Sequence, residues 1–381
     1  MLVNFDKNNK TIVLLSLADM SCSNGQGVFS RKVLTELYGE LTRKKCNVKL
    51  VAPKPKFPSA LPSFFLKEGV WLSEKKNRNI LWHLYSQIMV FYFLLKLRPS
   101  TVVFSVKPSF FGVELARKIV GFDKVILVEG VGKRSLKTLG GKVVVVLGRL
   151  GFRMVFYKAK AIFVAYESAL EWVKEYKVNC YTEVIPCGVD ISIFNPANVG
   201  KGKSGDRLNG VVIGYVGSFR KVHRLDLLVL QLLEDNRLYL KLVGVGENYG
   251  DIKKLVAFHK LESRVEFLGN VPQVDMPKIF SSCSMMWAFT DVNHWGVPIK
   301  AFEYLACNKY VIVSKRKEFD FINDYNFGVV LSNNDVTDIS QKLADLIDRA
   351  DMELSLDVQS FPYIEEHHNW MNYRKVAAFV C

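Results

Sequence analysis

Both halves of this sequence follow the same rhythm, in which short apolar runs alternate with longer helix-like stretches. In the first half the apolar runs cover residues 12–17, 48–52, 101–106, 124–128 and 161–165, and the helix-like stretches include 28–41 and 111–120. In the second half the apolar runs cover residues 211–216, 239–243, 265–268, 284–289 and 310–313. Strands that alternate with helices form parallel sheets with helices on both faces. The rhythm therefore predicts an α/β fold with two doubly wound sheets.

The chain length and one polar stretch indicate where the two domains begin and end. At 381 residues the chain is too long for one compact core and suits two domains. Residues 195–209 are predicted to be a linker, because their run of glycine and lysine cannot support packed structure. We therefore expect one domain over residues 1–190 and a second over residues 206–364. The stretch 369–379 has helical periodicity, and a helix at about 365–381 is expected to return to the first domain.

A glutamate stands on the apolar side of a short predicted helix in the second half. Pro298 suits the first position of that helix, and Asn308 can adopt the left-handed conformation that ends it. Ile299, Glu303 and Ala306 are spaced four and three residues apart, so the carboxylate projects from the same side as apolar groups. Such an acid is either a structural cap or ion-pair partner, or an acceptor for ligand hydroxyls. A ligand role would suit the carboxyl edge of a parallel sheet, where open α/β folds bind nucleotides.

Tight glycine turns follow two predicted strands and precede the first predicted helix. They comprise Gly217 and Ser218 after residues 211–216, Gly244 and Gly246 after residues 239–243, and Gly25 and Gly27 in the loop 21–27. The first turn continues into Arg220, Lys221 and His223, and phosphate is the natural ligand for cations gathered at a strand end. Backbone N–H groups of the loop 21–27 are placed to face a diphosphate at the helix start. Glycines of this kind also form ordinary turns.

The net charge of +15 is unevenly distributed along the chain. Residues 1–190 hold 30 Lys and Arg against 14 Asp and Glu, a balance of +16. Residues 191–381 hold 22 against 23, a balance of −1. This asymmetry suggests that the first domain faces a membrane surface, a lipid diphosphate or a nucleic acid, although solubility alone is an alternative explanation.

Cysteine spacing and apolar run length exclude several classes of protein. The seven cysteines form no CxxC pair and have no histidine at ligand spacing, which argues against a zinc site and against a disulfide framework. We therefore expect a reducing compartment. The apolar run at 11–17 is too short for a signal peptide, and the run at 80–97 is interrupted by polar residues. The latter is expected to be a helix lying on a sheet or on a lipid surface, and no nucleic-acid-binding motif is legible.

Five segments taken together resemble the family-4 retaining glycosyltransferases of the GT-B fold, over nearly the whole chain. These segments are residues 184–190 with Phe194 and Pro196, 214–219, 242–246, 265–271 and 298–306. The resemblance implies two Rossmann-like domains facing across a cleft. It implies that the first domain receives the acceptor and that the second binds a nucleotide-diphosphate sugar, most plausibly of UDP or GDP, as a co-substrate with no other cofactor.

The resemblance also implies roles for individual residues. Glu303 matches the position that binds the ribose hydroxyls, the basic positions near the diphosphate match Arg220, Lys221 or His223, and Glu129 matches by position a group facing the donor sugar. The implied catalytic residues are Glu129, His223 and Glu303. The implied donor-binding residues are Gly25, Gly27, Gly217, Ser218, Arg220, Lys221, Gly244, Gly246, Val271, Pro298, Ile299, Lys300 and Glu303.

Two departures from the family pattern concern specificity. Trp295 stands where the family often has a second glutamate near the transferred sugar, and His223-Arg224 stands in place of the usual Lys-Gly. Fixed cations can stabilise the departing diphosphate, so no metal is required and none is expected. The resemblance thus implies a metal-independent, hexosyltransferase-type enzyme. The alternatives are a nucleotide-sugar epimerase of the same fold, or a non-catalytic polyanion-binding protein.

The resemblance and the basic first half together predict where the enzyme works. Many relatives extend lipid-linked glycans at the cytoplasmic face of the membrane, so we expect a cytoplasmic protein held peripherally on an anionic membrane surface, acting on a glycan or lipid-linked acceptor and not on nucleic acid. Basic residues interleaved with aromatic ones provide charge attraction and shallow insertion. They are Lys54, Lys56, Lys75, Lys76, Arg78, Lys133, Arg134 and Lys137, with Phe57, Phe64, Phe65, Trp71 and Trp82.

Overall fold

The chain divides into two compact units, each with its own core. The computed structural model describes residues 10–18, 20, 25–73, 80–105, 111–129, 149–200, 210–291, 297–332, 334–351 and 358–380. The first unit comprises Met1–Cys187 and Trp370–Cys381, and the second comprises Gly188–Asn369. The expected first domain ended at residue 190, three residues after this division.

The second unit begins earlier than the expected residue 206. The rings of Phe194 and Phe280 stack with centroids 6.1 Å apart, and the short helix Pro196–Val199 packs against the helix Met276–Ser281. Residues 195–199 therefore fold with the second unit, where the sequence predicted a linker. Residues 201–209 lie outside the described residues.

The described part of the first unit contains seven parallel strands in the order β3-β2-β1-β4-β5-β6-β7. They are β1 Thr11–Leu15, β2 Asn47–Pro53, β3 Gly69–Leu72, β4 Thr101–Ser105, β5 Asp123–Val128, β6 Ala161–Val164 and β7 Tyr181–Val184. The five predicted strands are confirmed, and their buried apolar runs form the centre of the sheet. The edge strands β3 and β7 were not predicted, because each has only four residues and is only partly buried, and β7 also contains Thr182 and Glu183.

Helices connect these strands, and the C-terminal segment packs on the first helix of this unit. The helices are Gly25–Arg43, Ser63–Glu68, Ile80–Leu97, Phe111–Val120, residues 149–156, Glu167–Lys174 and Ala377–Val380. The C-terminal segment packs on the first helix through Phe29, whose ring lies 6.0 Å from that of Trp370 and 5.7 Å from that of Tyr373. This segment is a 3-10 helix from Trp370 to Val376 before the last short α-helix, and residues 365–369 belong to the second unit. None of the helices described is long and apolar enough to cross a membrane.

A buried ion pair ties the first unit's sheet to two of its helices. Lys124 on β5 has no exposed surface, and its ammonium pairs with Glu114 and also contacts the carbonyl oxygen of Met154, 3.4 Å away. Burial lowers the pKa of Lys124 to about 8, although Glu114 opposes that shift. The helix Phe111–Val120 and residues 149–156 therefore share one cation.

In the part of the second unit that is described, six parallel strands follow the order β10-β9-β8-β11-β12-β13. They are β8 Val211–Val216, β9 Leu238–Val243, β10 Val265–Gly269, β11 Met285–Trp287, β12 Tyr310–Ser314 and β13 Gly328–Leu331. The longer helices are Leu225–Glu234, Tyr249–Phe258, Met276–Ser281, Lys300–Ala306, Val336–Asp351 and Phe361–His367, with a shorter one at Asp320–Asp324. The five predicted strands are confirmed, β11 is shorter than expected, and β13 was not predicted. Both units are thus Rossmann-like α/β domains.

Backbone hydrogen bonds join the turns that follow β8, β9 and β10. Gly217 donates to the carbonyl oxygen of Val243 over 3.0 Å, and Phe219 donates to that of Val245 over 3.0 Å. Gly244 donates to the carbonyl oxygen of Gly269 over 2.6 Å. These bonds satisfy backbone groups beyond the ends of the strands, so the three turns behave as one layer.

Gly244 is required by the packing of this layer. Its φ of 117° lies in the left-handed region, and a Cβ atom built there would lie 2.0 Å from the carbonyl oxygen of Gly217. A Cβ atom at Gly246 would likewise lie 2.5 Å from the carbonyl oxygen of Phe219. These glycines therefore allow the backbone of one turn to lie close to the backbone of the next.

We expect Gly244→Ala to lower the free energy of unfolding by about 2–4 kcal/mol, because it combines backbone strain with a backbone clash. The matched control is Gly250→Ala, where the new methyl group meets nothing within 4 Å and alanine favours the helix Tyr249–Phe258 by up to about 1 kcal/mol. Urea unfolding of the full chain measures both. Equal stability of the two variants would contradict the assigned packing role.

Candidate functional site

The sheet of the second unit opens where β8 and β11 diverge. Among the described residues, β11 pairs with β8 only at Ile213 and Gly214, although β8 continues to Val216. The hydroxyl of Tyr304 fills the gap: it accepts from the Val216 N–H over 2.9 Å and donates to the Val216 carbonyl oxygen over 3.0 Å. Strand connections leave in opposite directions from β8, so this edge is a switch point of the kind at which open α/β sheets bind ligands.

The helix Lys300–Ala306 is tied a second time to the end of β8. The ammonium of Lys300 donates to the hydroxyl of Tyr215 over 3.0 Å and lies 4.1 Å from the centroid of that ring. The Tyr215 hydroxyl in turn donates to the carbonyl oxygen of Ser218 over 2.6 Å. A cation is thereby held directly over the turn at Gly217, where a Cβ atom would lie 2.5 Å from the Lys300 nitrogen.

Glu303 and Lys300 are half-buried groups on one helix whose environments move their pKa values towards each other. Burial raises the pKa of Glu303 to about 7; Lys300 opposes this shift, and the carboxylate of Asp190 adds to it. Burial lowers the pKa of Lys300 to about 7; Glu303 opposes that shift, and Arg220 adds to it. Perturbed acids and bases at a sheet edge are typical of functional sites. The sequence-based prediction that Glu303 projects beside apolar groups agrees with the fully buried Ala306 on the same side.

The basic turn after β8 presents two kinds of cation. Arg220 and Lys221 are exposed, and His223 is half-buried with its carbonyl oxygen accepting from the Trp287 indole N–H over 3.0 Å. Arg224 adopts a left-handed φ of 46° and is held by Asp226 at 2.9 Å, with Asp291 3.9 Å away. Arg224 is therefore engaged by acids, whereas Arg220 and Lys221 present their charge to solvent.

A cavity of about 740 Å³ opens beside Lys221 and Arg224, on the side of the turn towards the helix Tyr249–Phe258. Asp226, Asp251 and Asp291 contribute to its walls. The two cations of these walls do not outweigh the three carboxylates, so phosphate is better accommodated near Lys300 and Ser218.

Sequence reasoning missed three residues of this edge. Tyr215 and Tyr304 position Lys300 and the helix that carries Glu303, and neither hydroxyl is distinguishable by pattern from an ordinary buried tyrosine. Arg316 follows β12 and donates to the hydroxyl oxygen of Thr290 over 2.9 Å and to the carbonyl oxygen of Asp291 over 3.2 Å. The basic run 315–317, directly after a predicted strand, was the available signal for Arg316.

The other donor-site candidates of the second unit lie around the same helix and strand ends. Val271 follows β10 and Ile299 precedes the helix, both half-buried, and Pro298 is buried. Pro298 was expected at the first helical position, but the helix begins at Lys300 and the Pro298 carbonyl oxygen accepts from the Ala301 N–H. Asn308 has the expected left-handed φ, 54°. Trp295 and Gly296 lie outside the described residues.

Three candidates belong to the first unit. Gly25 and Gly27 were expected in a loop, but they form the first turn of the helix Gly25–Arg43, and residues 21–24 lie outside the described residues. Glu129 is half-buried directly after β5. Burial, Cys187 and then Glu129 raise the pKa of Tyr373 above its usual range, so the half-buried Glu129 carboxylate lies near the buried Tyr373 hydroxyl.

Comparison with known proteins identifies the second unit. Residues 201–359 match the family model described as glycosyl transferases group 1. That span contains the turns after β8 and β9 together with Lys300 and Glu303. No curated protein matches the chain in sequence.

Solved structures share the fold of the whole chain. Sucrose-phosphate synthase from Thermosynechococcus elongatus superposes with a TM-score of 0.76 at 16% identity, covering 97% of this chain and 98% of that one. HepE from Anabaena has a TM-score of 0.72 at 13% identity over 97% and 98% of the two chains. A glycosyltransferase from Rickettsia africae has a TM-score of 0.71 at 17% identity over 98% of both. The chain therefore has the GT-B fold, and its residues 201–359 match the model of the glycosyl transferases group 1 family.

Proposed function

We propose that this protein is a retaining, metal-independent glycosyltransferase of the hexosyl type, which transfers a sugar from a nucleotide-diphosphate sugar to a glycan or lipid-linked acceptor. The observation that carries the proposal is the placement of Glu303 and Lys300 on one tethered helix, directly beside the basic turn at the end of β8. Glu303, which would bind ribose hydroxyls, and the cations, which would bind a diphosphate, therefore lie at the same strand ends.

Uridine diphosphate is the preferred form of the co-substrate, with guanosine diphosphate as the alternative. HepE is described in complex with UDP and with UDP-glucose, and TarM of S. aureus in complex with UDP. Glu303 would accept hydrogen bonds from the two ribose hydroxyls. Val271, which follows β10, would also contact the donor.

Charge explains how the site would assist the reaction. Breaking the bond between the anomeric carbon and the diphosphate oxygen leaves negative charge on the departing group and positive character on the sugar. Lys300, Arg220 and Lys221, with His223, would stabilise that negative charge. Because a bound dianion favours the ammonium form, it would also raise the pKa of Lys300 from about 7.

The proposed retaining mechanism requires few catalytic side chains. The acceptor would attack from the face that the diphosphate leaves, so a side-chain nucleophile is not required. A nuclear magnetic resonance spectrum of the product gives the test: the transferred sugar should keep the anomeric configuration it had in the donor, and an inverted product would contradict the retaining mechanism.

The acceptor is proposed to be presented at the cytoplasmic face of a membrane. The excess charge of +16 in residues 1–190 supports this, because the near-neutral second half already holds the proposed nucleotide site. Nucleoside diphosphate release from the donor should therefore depend on added glycan or lipid-linked acceptor. Conversion of the donor sugar into its epimer without any acceptor would support an epimerase instead.

We expect Glu303→Gln to leave the fold intact and to weaken UDP binding by about 1–3 kcal/mol, because a neutral amide pairs poorly with two hydroxyl donors. Calorimetry with UDP and with inorganic pyrophosphate separates the roles: the variant should lose affinity for UDP and keep that for pyrophosphate, which has no ribose. Glu262→Gln, at an exposed position of the same unit, is the control. Unchanged UDP affinity in Glu303→Gln would remove Glu303 from the site.

Replacing Arg220, Lys221 and His223 together by alanine should weaken both UDP and pyrophosphate at least about tenfold, since each lost charge-assisted contact is worth about 1.5–3 kcal/mol. Sugar transfer should be lost while solubility and melting temperature are kept. The matched control replaces Lys254, His259 and Lys278, which lie elsewhere in the same unit. If the turn variant binds pyrophosphate like the control, the phosphate site lies elsewhere.

A further inference from the structure

Among the aromatic residues expected to enter a lipid surface, Trp82 is buried and Phe64 and Trp71 are half-buried. Trp82 is only 5% exposed, and its indole N–H donates to the carbonyl oxygen of Ser73 over 3.4 Å. Phe64 stacks on Tyr38 with ring centroids 4.1 Å apart. Phe57 is exposed, whereas Lys75, Lys76, Arg78, Lys133, Arg134 and Lys137 lie outside the described residues. The insertion of Trp82 that the sequence suggested is therefore wrong.

A different apolar stripe runs along the outer side of the helix Ile80–Leu97. Leu84, Ile88 and Tyr92 are spaced four residues apart and are all exposed, Ile88 to 61%. The opposite side of the helix is buried through Val90 and Leu94. A surface helix normally turns polar residues outwards. This helix is apolar on both sides, so its outer side is suited to a second apolar environment.

The next helix, Phe111–Val120, continues the stripe. Phe111, Leu115 and Ile119 are again spaced by four and exposed, Ile119 to 63%. The two helices are in direct contact at Gly112, where a Cβ atom would lie 2.2 Å from the carbonyl oxygen of Gln87. Their exposed stripes therefore lie side by side on one layer of the unit.

Residues 149–157 add a third apolar row. Leu150, Met154 and Tyr157 are exposed at spacings of four and three. The ammonium of Lys124 joins this segment to the helix Phe111–Val120, because it contacts both the Met154 carbonyl oxygen and Glu114. Right-handed crossovers from β3 through β6 place the three connecting helices on the same side of the sheet.

The exposed charges on these three segments have one sign. Residues 80–97, 111–120 and 149–158 contain one acid, Glu114, and it is buried against Lys124 and Arg117. The exposed charged residues are Lys96, Lys118, Arg149, Arg153 and Lys158. We call this surface, made by residues 80–97, 111–120 and 149–158, the basic apolar face. Interleaved cations and apolar side chains complement the charged headgroups and upper acyl chains of an anionic bilayer.

We propose that the basic apolar face is the surface by which this protein lies on an anionic lipid bilayer, with Ile88, Ile119 and Leu150 among the inserted side chains. The assignment rests on the membrane association proposed above and names the part of the first unit that makes it. The helices would lie in the plane of the interface, in keeping with the finding that none of the described helices can cross a membrane.

Vesicle flotation of the full chain tests the assignment with two variants that change different properties. One replaces Ile88, Ile119 and Leu150 by serine and keeps every charge; the other replaces Lys118, Arg149 and Arg153 by glutamine and keeps every apolar group. All six positions are exposed, so the fold should be retained. The control replaces Phe258, Val274 and Tyr325 by serine, three exposed apolar residues of the second unit.

The wild type and the control should float with vesicles of phosphatidylcholine and phosphatidylglycerol, remain unbound with phosphatidylcholine alone, and dissociate as salt rises. Each face variant should show an at least about tenfold lower affinity for the anionic vesicles and an unchanged affinity for UDP. If the wild type floats and both face variants float equally well, the protein binds membranes but not through the basic apolar face. If the wild type does not float, both fail, whereas UDP binding still tests the transferase. A wild-type dimer that the serine variant converts to a monomer, without flotation, would make the face a protein interface.

Discussion

The hydroxyl of Tyr304 holds open the edge on which the proposed chemistry depends. By bonding both the N–H and the carbonyl oxygen of Val216, it takes the place of a neighbouring strand where β8 and β11 diverge. The same helix then sets the positions of Lys300 and Glu303. A buried hydrogen bond at a strand end thus determines where an acid and a cation meet a ligand.

The layer of turns beneath that helix gives the site its rigidity. Gly217, Gly244 and Gly246 allow three strand ends to approach within backbone hydrogen-bonding distance, and Tyr215 links this layer to Lys300. Because Tyr215 holds the ammonium of Lys300, the charge of Lys300 is oriented before a ligand arrives. Fixed cations stabilise developing negative charge more effectively than mobile ones, because little reorganisation is needed during the reaction.

The elements that could be predicted from the sequence are those with a regular pattern of apolar residues. The buried central strands, such as β8, have continuous apolar runs and were predicted almost to the residue, and the side of the helix on which Glu303 lies follows from its spacing. Edge strands β3, β7 and β13 have only four residues each, are partly exposed and were missed. Contacts between distant residues leave no local signal, so neither the burial of Lys124 against Glu114 nor the role of the Tyr304 hydroxyl could be predicted.

Thermal unfolding of the full chain shows whether the turns after β8, β9 and β10, with Lys300 and Glu303, bind a nucleoside diphosphate. A ligand that binds only the folded protein raises the melting temperature, and at a concentration of about 100 times its Kd it adds about 2.7 kcal/mol of stability. UDP, GDP and ADP should be compared at one concentration, with uridine and guanosine as controls. We expect UDP or GDP to raise the melting temperature by several degrees, and the matching nucleoside to leave it unchanged. An unchanged melting temperature with all three diphosphates would contradict this expectation.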